Sequence, residues 1–231
     1  YKSVKKLADY IIIQHFPIFK EKDDSYLQMF RGIVHKTAEM IAKWQSVGFS
    51  HGVMNTDNMS ILGETLDYGP FGFMDNYNPN FICNHSDSYG RYSFKNQPSI
   101  GLWNCNALAT ALTSLLDSRQ LKLVLDEYQP VFLNILLKLY RQKLGLEVTA
   151  ENDQNLIDEL LGILEVNKID YTIFFRRLCF FKSKGNHEHL KELFINQNAL
   201  DGWIKKYKDR LLAETKNEEK RKNKMIQHNP K

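Results

Sequence analysis

The sequence predicts a mainly α-helical domain with one small β element near its N-terminal quarter. Apolar residues recur at helical spacing over most of the chain, and the runs that have strand character are only four residues long. With 231 residues, of which 43% are hydrophobic, the chain can bury a sizeable core. We therefore expect one globular domain, or a large part of one.

Two helices are predicted before the β element. Residues 4–15 carry apolar side chains on one helical face, and this helix should end before Pro17. A longer helix should begin after Asp24, which can cap it, and should end at Gly48. Glycine favours this position because it adopts the left-handed backbone that closes many helices.

An irregular segment follows the β element. Residues 70–98 are rich in Asn, Tyr, Phe, Gly and Ser and show no clear period. Loops of this length inside a compact domain are usually functional or disordered. Order is favoured here because seven aromatic residues are available to bury, namely Phe71, Phe73, Tyr77, Phe81, Tyr89, Tyr92 and Phe94.

The remainder of the chain is predicted to be helical. Pro130 should either begin a new helix or kink an existing one, since proline cannot donate the backbone hydrogen bond of a helix interior. The predicted helical segments after Asn104 are 108–115, 119–144, 153–165, 170–181, 186–195 and 199–227.

Composition excludes several classes of function. The 31 Lys and Arg residues nearly balance 27 Asp and Glu, and no basic stripe is interleaved with aromatics, so we expect no nucleic-acid partner. No apolar run approaches the length of a membrane span, so no membrane association is expected. The three cysteines are scattered singly, without the paired spacing of a zinc or redox site. The chain begins with Tyr1 rather than Met, which suggests a piece of a longer protein.

The predicted β element is a hairpin in residues 59–68. Residues 59–62 (MSIL) and 65–68 (TLDY) would be its strands, and Gly63-Glu64 would be a two-residue turn of type II′. This register brings Asn58 and Asp67 to the open end, with their backbones about 5–8 Å apart. Asp57 lies on the same rim. One carboxylate and one amide suit Mg²⁺, which completes its shell with water and phosphate. An alternative stays open, in which Asp57 and Asn58 form only an Asx turn and Asp67 only ends a strand.

The order of these features is typical of a protein-kinase-like C-terminal lobe. His51 would begin the catalytic loop, Asn58 would bind metal, and Asp67-Tyr68-Gly69 would supply the second metal ligand. The sequence departs from that pattern at Val53, which occupies the place of the kinase catalytic aspartate. The corresponding subdivision of a lobe spanning 1–231 is 1–48 for the N-terminal helices, 49–73 for the catalytic loop, hairpin and DYG segment, 74–103 for an activation-segment-like loop, and 104–231 for a helical subdomain.

Two long motifs resemble the selenoprotein O family of kinase-like protein adenylyltransferases. They are HGVMNTDNMSILGETLDYGPFGFMD at residues 51–75 and GRYSFKNQPSIGLWN at residues 90–104. The resemblance implies transfer of AMP from ATP to Ser, Thr or Tyr hydroxyls of protein substrates. It implies Asp57 as the catalytic base, Asn58 and Asp67 as ligands of Mg²⁺ or Mn²⁺, and ATP as substrate. His51 is expected to orient the loop rather than to transfer protons.

The resemblance also limits what this stretch can do alone. No glycine-rich phosphate-covering loop and no Lys–Glu pair of an N-terminal lobe is found in the sequence, so the fragment alone is expected to be inactive. The compartment implied is the bacterial cytoplasm, or the mitochondrion for a eukaryotic member. Two rival functions stay open, an atypical kinase that transfers a phosphoryl group and a non-catalytic nucleotide-binding scaffold.

Overall fold

Helices dominate the computed structural model, which describes residues 2–214 and 217–230. The mainly α prediction is confirmed, as is the presence of one small two-stranded antiparallel sheet. The strands are β1 (Phe49–Ser50) and β2 (Gly72–Phe73). The helices are α1 (Lys2–His15), α2 (Ser25–Val47), α3 (Gln97–Leu112), α4 (Ser118–Asp126), α5 (Tyr128–Leu144), α6 (Asp153–Val166), α7 (Tyr171–Leu178), α8 (Glu188–Lys191), α9 (Asp201–Leu211) and α10 (Glu218–His228).

Several predicted helix ends are confirmed and have a local chemical cause, but α3 begins at Gln97 rather than after Asn104, and the predicted segment 186–195 contains only the short helix α8. Helix α1 ends before Pro17, and α2 ends before Gly48, whose φ of 71° is the left-handed conformation that glycine adopts easily. Pro130 lies in the first turn of α5, where its missing N–H leaves no helical hydrogen bond unmade, so it begins a helix rather than kinking one. The predicted segment 199–227 is wrong as a single helix. It contains α9 and α10, and Asn217 caps the second by accepting a hydrogen bond from the Lys220 N–H.

The predicted hairpin at residues 59–68 is wrong, because the strands of the small sheet lie on either side of it. The Gly63 N–H donates to the Ser60 carbonyl oxygen (3.2 Å), so the turn spans Ser60–Gly63 instead of centring on Gly63-Glu64. The Ser60 hydroxyl oxygen accepts from the Leu62 N–H (3.1 Å), a local bond that competes with strand pairing. Gly63 meets a different need, because a Cβ there would lie 2.8 Å from the Lys36 Cβ and carbonyl oxygen on α2.

Residues 70–96 lack regular structure apart from β2 and a short 3₁₀ turn, largely as predicted, but their aromatic side chains are not uniformly buried. Phe94 is buried, whereas Phe71, Phe73 and Tyr89 are exposed. Polar contacts shape the loop instead. The Asp87 carboxylate accepts hydrogen bonds from the backbone N–H groups of Arg91 and Tyr92.

The chain folds into two compact units. The first unit runs to Gln45 and includes Ser50–Gly72 and Ile82–Ile135, with a core that contains Phe30, Val34, Ile41 and Met54. The second unit comprises Ser46–Phe49, Phe73–Phe81 and the chain from Leu136 onward. Its buried aromatic residues also satisfy polar groups: Trp203 donates to the Leu156 carbonyl oxygen and Tyr207 to that of Leu144. In the described ranges, no helix combines the length and the apolar character that a bilayer span requires.

Lys143 is an unusual buried cation in the second unit, only 4% exposed. Its Nζ lies 4.4 Å from the centroid of the Phe175 ring, and no carboxylate of the described ranges is within ion-pair distance. Burial lowers the pKa of Lys143 from 10.5 to about 8. The folded-state pKa is below the unfolded one, so the ammonium destabilises the fold below about pH 8, and this penalty fades as the pH rises towards 10.5.

We therefore expect Lys143→Met to raise the free energy of unfolding at pH 7 by about 3 kcal/mol. Urea unfolding at pH 7 and near pH 10 measures the effect. The gain in the free energy of unfolding should be smaller at the higher pH. Buried tyrosines also ionise on unfolding near pH 10, but they affect the wild type and the variant equally. A gain that is the same at both pH values would contradict the assignment.

Candidate functional site

His51 begins the loop that carries Asp57 and Asn58. The residue is buried in the first unit, where it is 1% exposed. Its backbone N–H donates to the Gln97 side-chain oxygen (2.9 Å) on α3. Its ring Nε2 lies 2.8 Å from the Leu66 carbonyl oxygen, which can only accept, so Nε2 carries the proton. The ring also packs on Trp44, with centroids 5.3 Å apart. These contacts hold the His51 backbone and the Leu66 carbonyl in place.

Asp57 and Asn58 lie together in a short 3₁₀ turn, Thr56–Asn58. The Asn58 N–H donates to the Asn55 carbonyl oxygen (3.0 Å), and the Asn58 side-chain Nδ2 donates to the Val53 carbonyl oxygen (3.2 Å). The Asp57 side chain is exposed, and no hydrogen bond to its carboxylate forms within residues 2–214 and 217–230. Its oxygens are therefore open to an incoming group.

Asp67 stands on a separate, extended segment with an unusual backbone. Its φ is 54°, a left-handed value that costs most residues energy but that Asp and Asn tolerate better. The Gly69 N–H donates to the Asp67 carbonyl oxygen (2.8 Å) and closes a tight turn. Because His51 holds the neighbouring Leu66 carbonyl, one buried ring ties the Asp67 segment to the start of the loop that carries Asp57 and Asn58.

The donor set of Asn58 and Asp67 fits the implied divalent cation. Since Nδ2 of Asn58 is committed to the Val53 carbonyl, its Oδ1 remains the free coordinating atom. Asp67 adds an exposed carboxylate. No group of three or more His, Cys, Asp or Glu side chains converges in the portion of the chain that the structure describes. A cation held by these two residues would thus complete its shell with water and phosphate oxygens, which is the usual habit of Mg²⁺.

Two buried amide side chains on α3 hold the backbone of residues 51–54, and neither was identified from the sequence. Gln97, fully buried, accepts from His51, and Asn104, 7% exposed, donates through Nδ2 to the Met54 carbonyl oxygen (3.0 Å). They are seven residues apart, which puts them on one helical face two turns apart. That spacing of two amides on one face of α3 is the signal that could have identified them.

Comparison with known proteins gives one consistent family. A family model described as protein adenylyltransferase SelO matches residues 1–231. Protein nucleotidyltransferase YdiU of Erwinia tasmaniensis is 47% identical over 229 residues, which cover 99% of this chain and 48% of that protein. The protein of the same name from Vibrio vulnificus (strain YJ016) is 48% identical over 214 residues, covering 93% of this chain and 44% of that protein. The chain thus spans about half the length of the curated relatives it matches.

Proposed function

The chain belongs to the SelO family, and from this premise we propose that it is the metal-binding lobe of a kinase-like protein adenylyltransferase. The complete enzyme transfers AMP from ATP to Ser, Thr or Tyr hydroxyls of protein substrates and requires Mg²⁺ or Mn²⁺. The relatives named above are bacterial, and a bacterial cytoplasmic location is part of the proposal.

One observation supports this proposal most strongly. Buried Asn104 holds the Met54 carbonyl just before the turn that carries Asp57 and Asn58, and Asn58 itself donates to the Val53 carbonyl, while the Asp57 carboxylate remains exposed. A carboxylate that is exposed to solvent but carried by a fixed backbone can hold a reactant in a defined position.

Asp57 serves as the base in this proposal. Its carboxylate orients the acceptor hydroxyl and accepts the proton as the oxygen attacks the α-phosphorus of ATP. Asn58 and Asp67 hold the cation through Oδ1 and the carboxylate. When bound, the cation neutralises charge that develops on the departing pyrophosphate. His51, Gln97 and Asn104 keep these groups in place through backbone contacts.

The subdivision into 1–48, 49–73, 74–103 and 104–231 is proposed as the organisation of the lobe, without a hairpin in its second part. The relatives are about twice as long as this chain, which leaves room in them for a phosphate-binding lobe. We propose that the 231-residue stretch alone does not catalyse transfer.

The mass gained by an acceptor protein tests the reaction. The complete enzyme, incubated with ATP and Mg²⁺, should add an adenylyl group that intact-mass spectrometry identifies. A phosphoryl mass would replace the proposal with an atypical kinase. An unchanged mass with every acceptor tested would favour a nucleotide-binding scaffold.

Asp57→Asn should lower the rate of AMP transfer about 10²-fold, because the amide keeps the shape of the side chain but cannot take the proton. Steady-state kinetics of the complete enzyme should show the loss in kcat, with the KM for ATP little changed. Undiminished transfer by this variant would remove Asp57 from the role of base.

A further inference from the structure

A cavity of about 450 Å³ in the second unit has several cationic side chains in its lining. It is bounded by the C-terminal part of α5, the residues that follow it, and α10. Its four permanent cations are Lys138, Arg141, Arg221 and Lys224. Nothing in the proposed transfer site uses these groups, so the cavity needs its own explanation.

The Arg221 side chain is held in one position in the wall of this cavity. The residue is 7% exposed, and its Nη2 donates to the Phe181 carbonyl oxygen (2.8 Å). Gly145 packs directly on its stem, since a Cβ there would lie 2.6 Å from the Arg221 Cγ. No carboxylate of residues 2–214 or 217–230 lies within ion-pair distance of Arg221, although Glu218, which accepts from the Ser183 N–H, interacts with it electrostatically at longer range. Burying a guanidinium without a directly paired carboxylate is costly, and a bound anion would offset that cost.

The charges around the cavity do not cancel. Glu147 is the one carboxylate in its lining, and it pairs with Lys224. Arg141 lies 4.0 Å from the buried Asp153. The C-terminal ends of α5 and α10 add roughly half a negative charge each. Lys138 and Arg221 therefore still leave an excess of positive charge facing the cavity.

We propose that this cavity binds the di- or triphosphate group of a small molecule. Guanidinium groups pair with phosphate oxygens through two parallel hydrogen bonds, and a multivalent anion matches several cations at once. The volume is that of a small-molecule site, and its cations surround a recess rather than lining an extended surface, which disfavours a nucleic-acid strand. The free oligophosphate and the tail of a nucleotide share this chemistry.

Isothermal titration calorimetry of the intact protein tests the proposal. Divalent cations are left out so that the proposed metal-dependent site does not contribute to the measured binding. Pyrophosphate, tripolyphosphate, ADP and ATP are the probes. We expect saturable binding of at least one, weakened about tenfold by Lys138→Gln and by Arg221→Gln. Equal binding of inorganic and nucleotide probes would assign recognition to the phosphates alone, and tighter nucleotide binding would assign a nucleotide source.

Lys205→Gln is the matched control, because Lys205 is an exposed cation of the same unit outside the cavity. It should leave the affinity unchanged. Lys138→Gln decides the outcome if Arg221→Gln lowers the thermal stability of the protein. Absence of saturable binding by all four probes, or binding that both cavity variants leave intact, would overturn the proposal.

Discussion

Asp67→Asn should reduce AMP transfer by the complete enzyme about 10³-fold, because it removes the one charged protein ligand of the proposed cation. The substitution preserves size, and Asn tolerates the left-handed backbone of Asp67 as well as Asp does, so folding should be unaffected. Transfer should be measured at several Mg²⁺ concentrations, since weaker binding of the cation predicts partial recovery at the highest.

Glu64→Gln is the control for this variant. Glu64 is exposed and only three residues away, so its substitution removes the same charge from the same loop without touching a proposed ligand. Its activity should stay close to that of the wild type. Equal losses in the two variants would show that the loop needs negative charge in general, and the assignment of Asp67 to the metal would fail.

Arg210→Met should destabilise the second unit by about 3–5 kcal/mol, the usual effect of breaking a buried ion pair from one side. The Arg210 Nε lies 2.6 Å from Asp153, which is fully buried, and its Nη1 lies 2.8 Å from Glu214. Methionine fills a similar volume but removes the nearest cation from both carboxylates, and leaves Asp153 only Arg141, at 4.0 Å. Chemical denaturation monitored by tryptophan fluorescence, to which the buried Trp203 of this unit contributes, measures the loss.

The pair Lys206–Glu159 provides the comparison. Its atoms are also close, at 2.7 Å, but the side chains of Lys206 and Glu159 are 62% and 36% exposed, so water screens the pair. Lys206→Met should therefore change the free energy of unfolding by no more than about 0.5 kcal/mol. A loss for Arg210→Met as small as that of Lys206→Met would show that the buried network does not stabilise the unit.

Local chemistry made much of the fold predictable from sequence. Pro17, Gly48 and Pro130 act on their own neighbours, so the helix boundaries that they set could be predicted without knowledge of tertiary contacts. The absence of the predicted hairpin could not be foreseen in this way. Gly63 is needed because the chain passes close to Lys36 on α2, a contact between segments far apart in the sequence. In the sequence, a glycine that forms a hairpin turn cannot be distinguished from a glycine that allows close approach to a helix.

The site was predictable to a different degree. Asp57, Asn58 and Asp67 were identified through order along the chain and family resemblance, and their roles remain proposals. The supporting partners Gln97 and Asn104 lie some 46–50 residues from the groups they hold. The ion network of Arg210 and Asp153 joins residues 57 apart. Periodicity shows which helical face is buried, but it cannot identify the distant polar group that a buried side chain will meet.

A crystal structure of the intact protein with Mn²⁺ and a non-hydrolysable ATP analogue tests the central assignment most directly. Anomalous scattering locates the Mn²⁺ independently of the surrounding side chains. The assignment predicts one ion within about 2.3 Å of both the Asn58 Oδ1 and an Asp67 carboxylate oxygen, with phosphate oxygens in its remaining positions. An ion bound elsewhere, or these two side chains pointing to different sides of the loop, would contradict it.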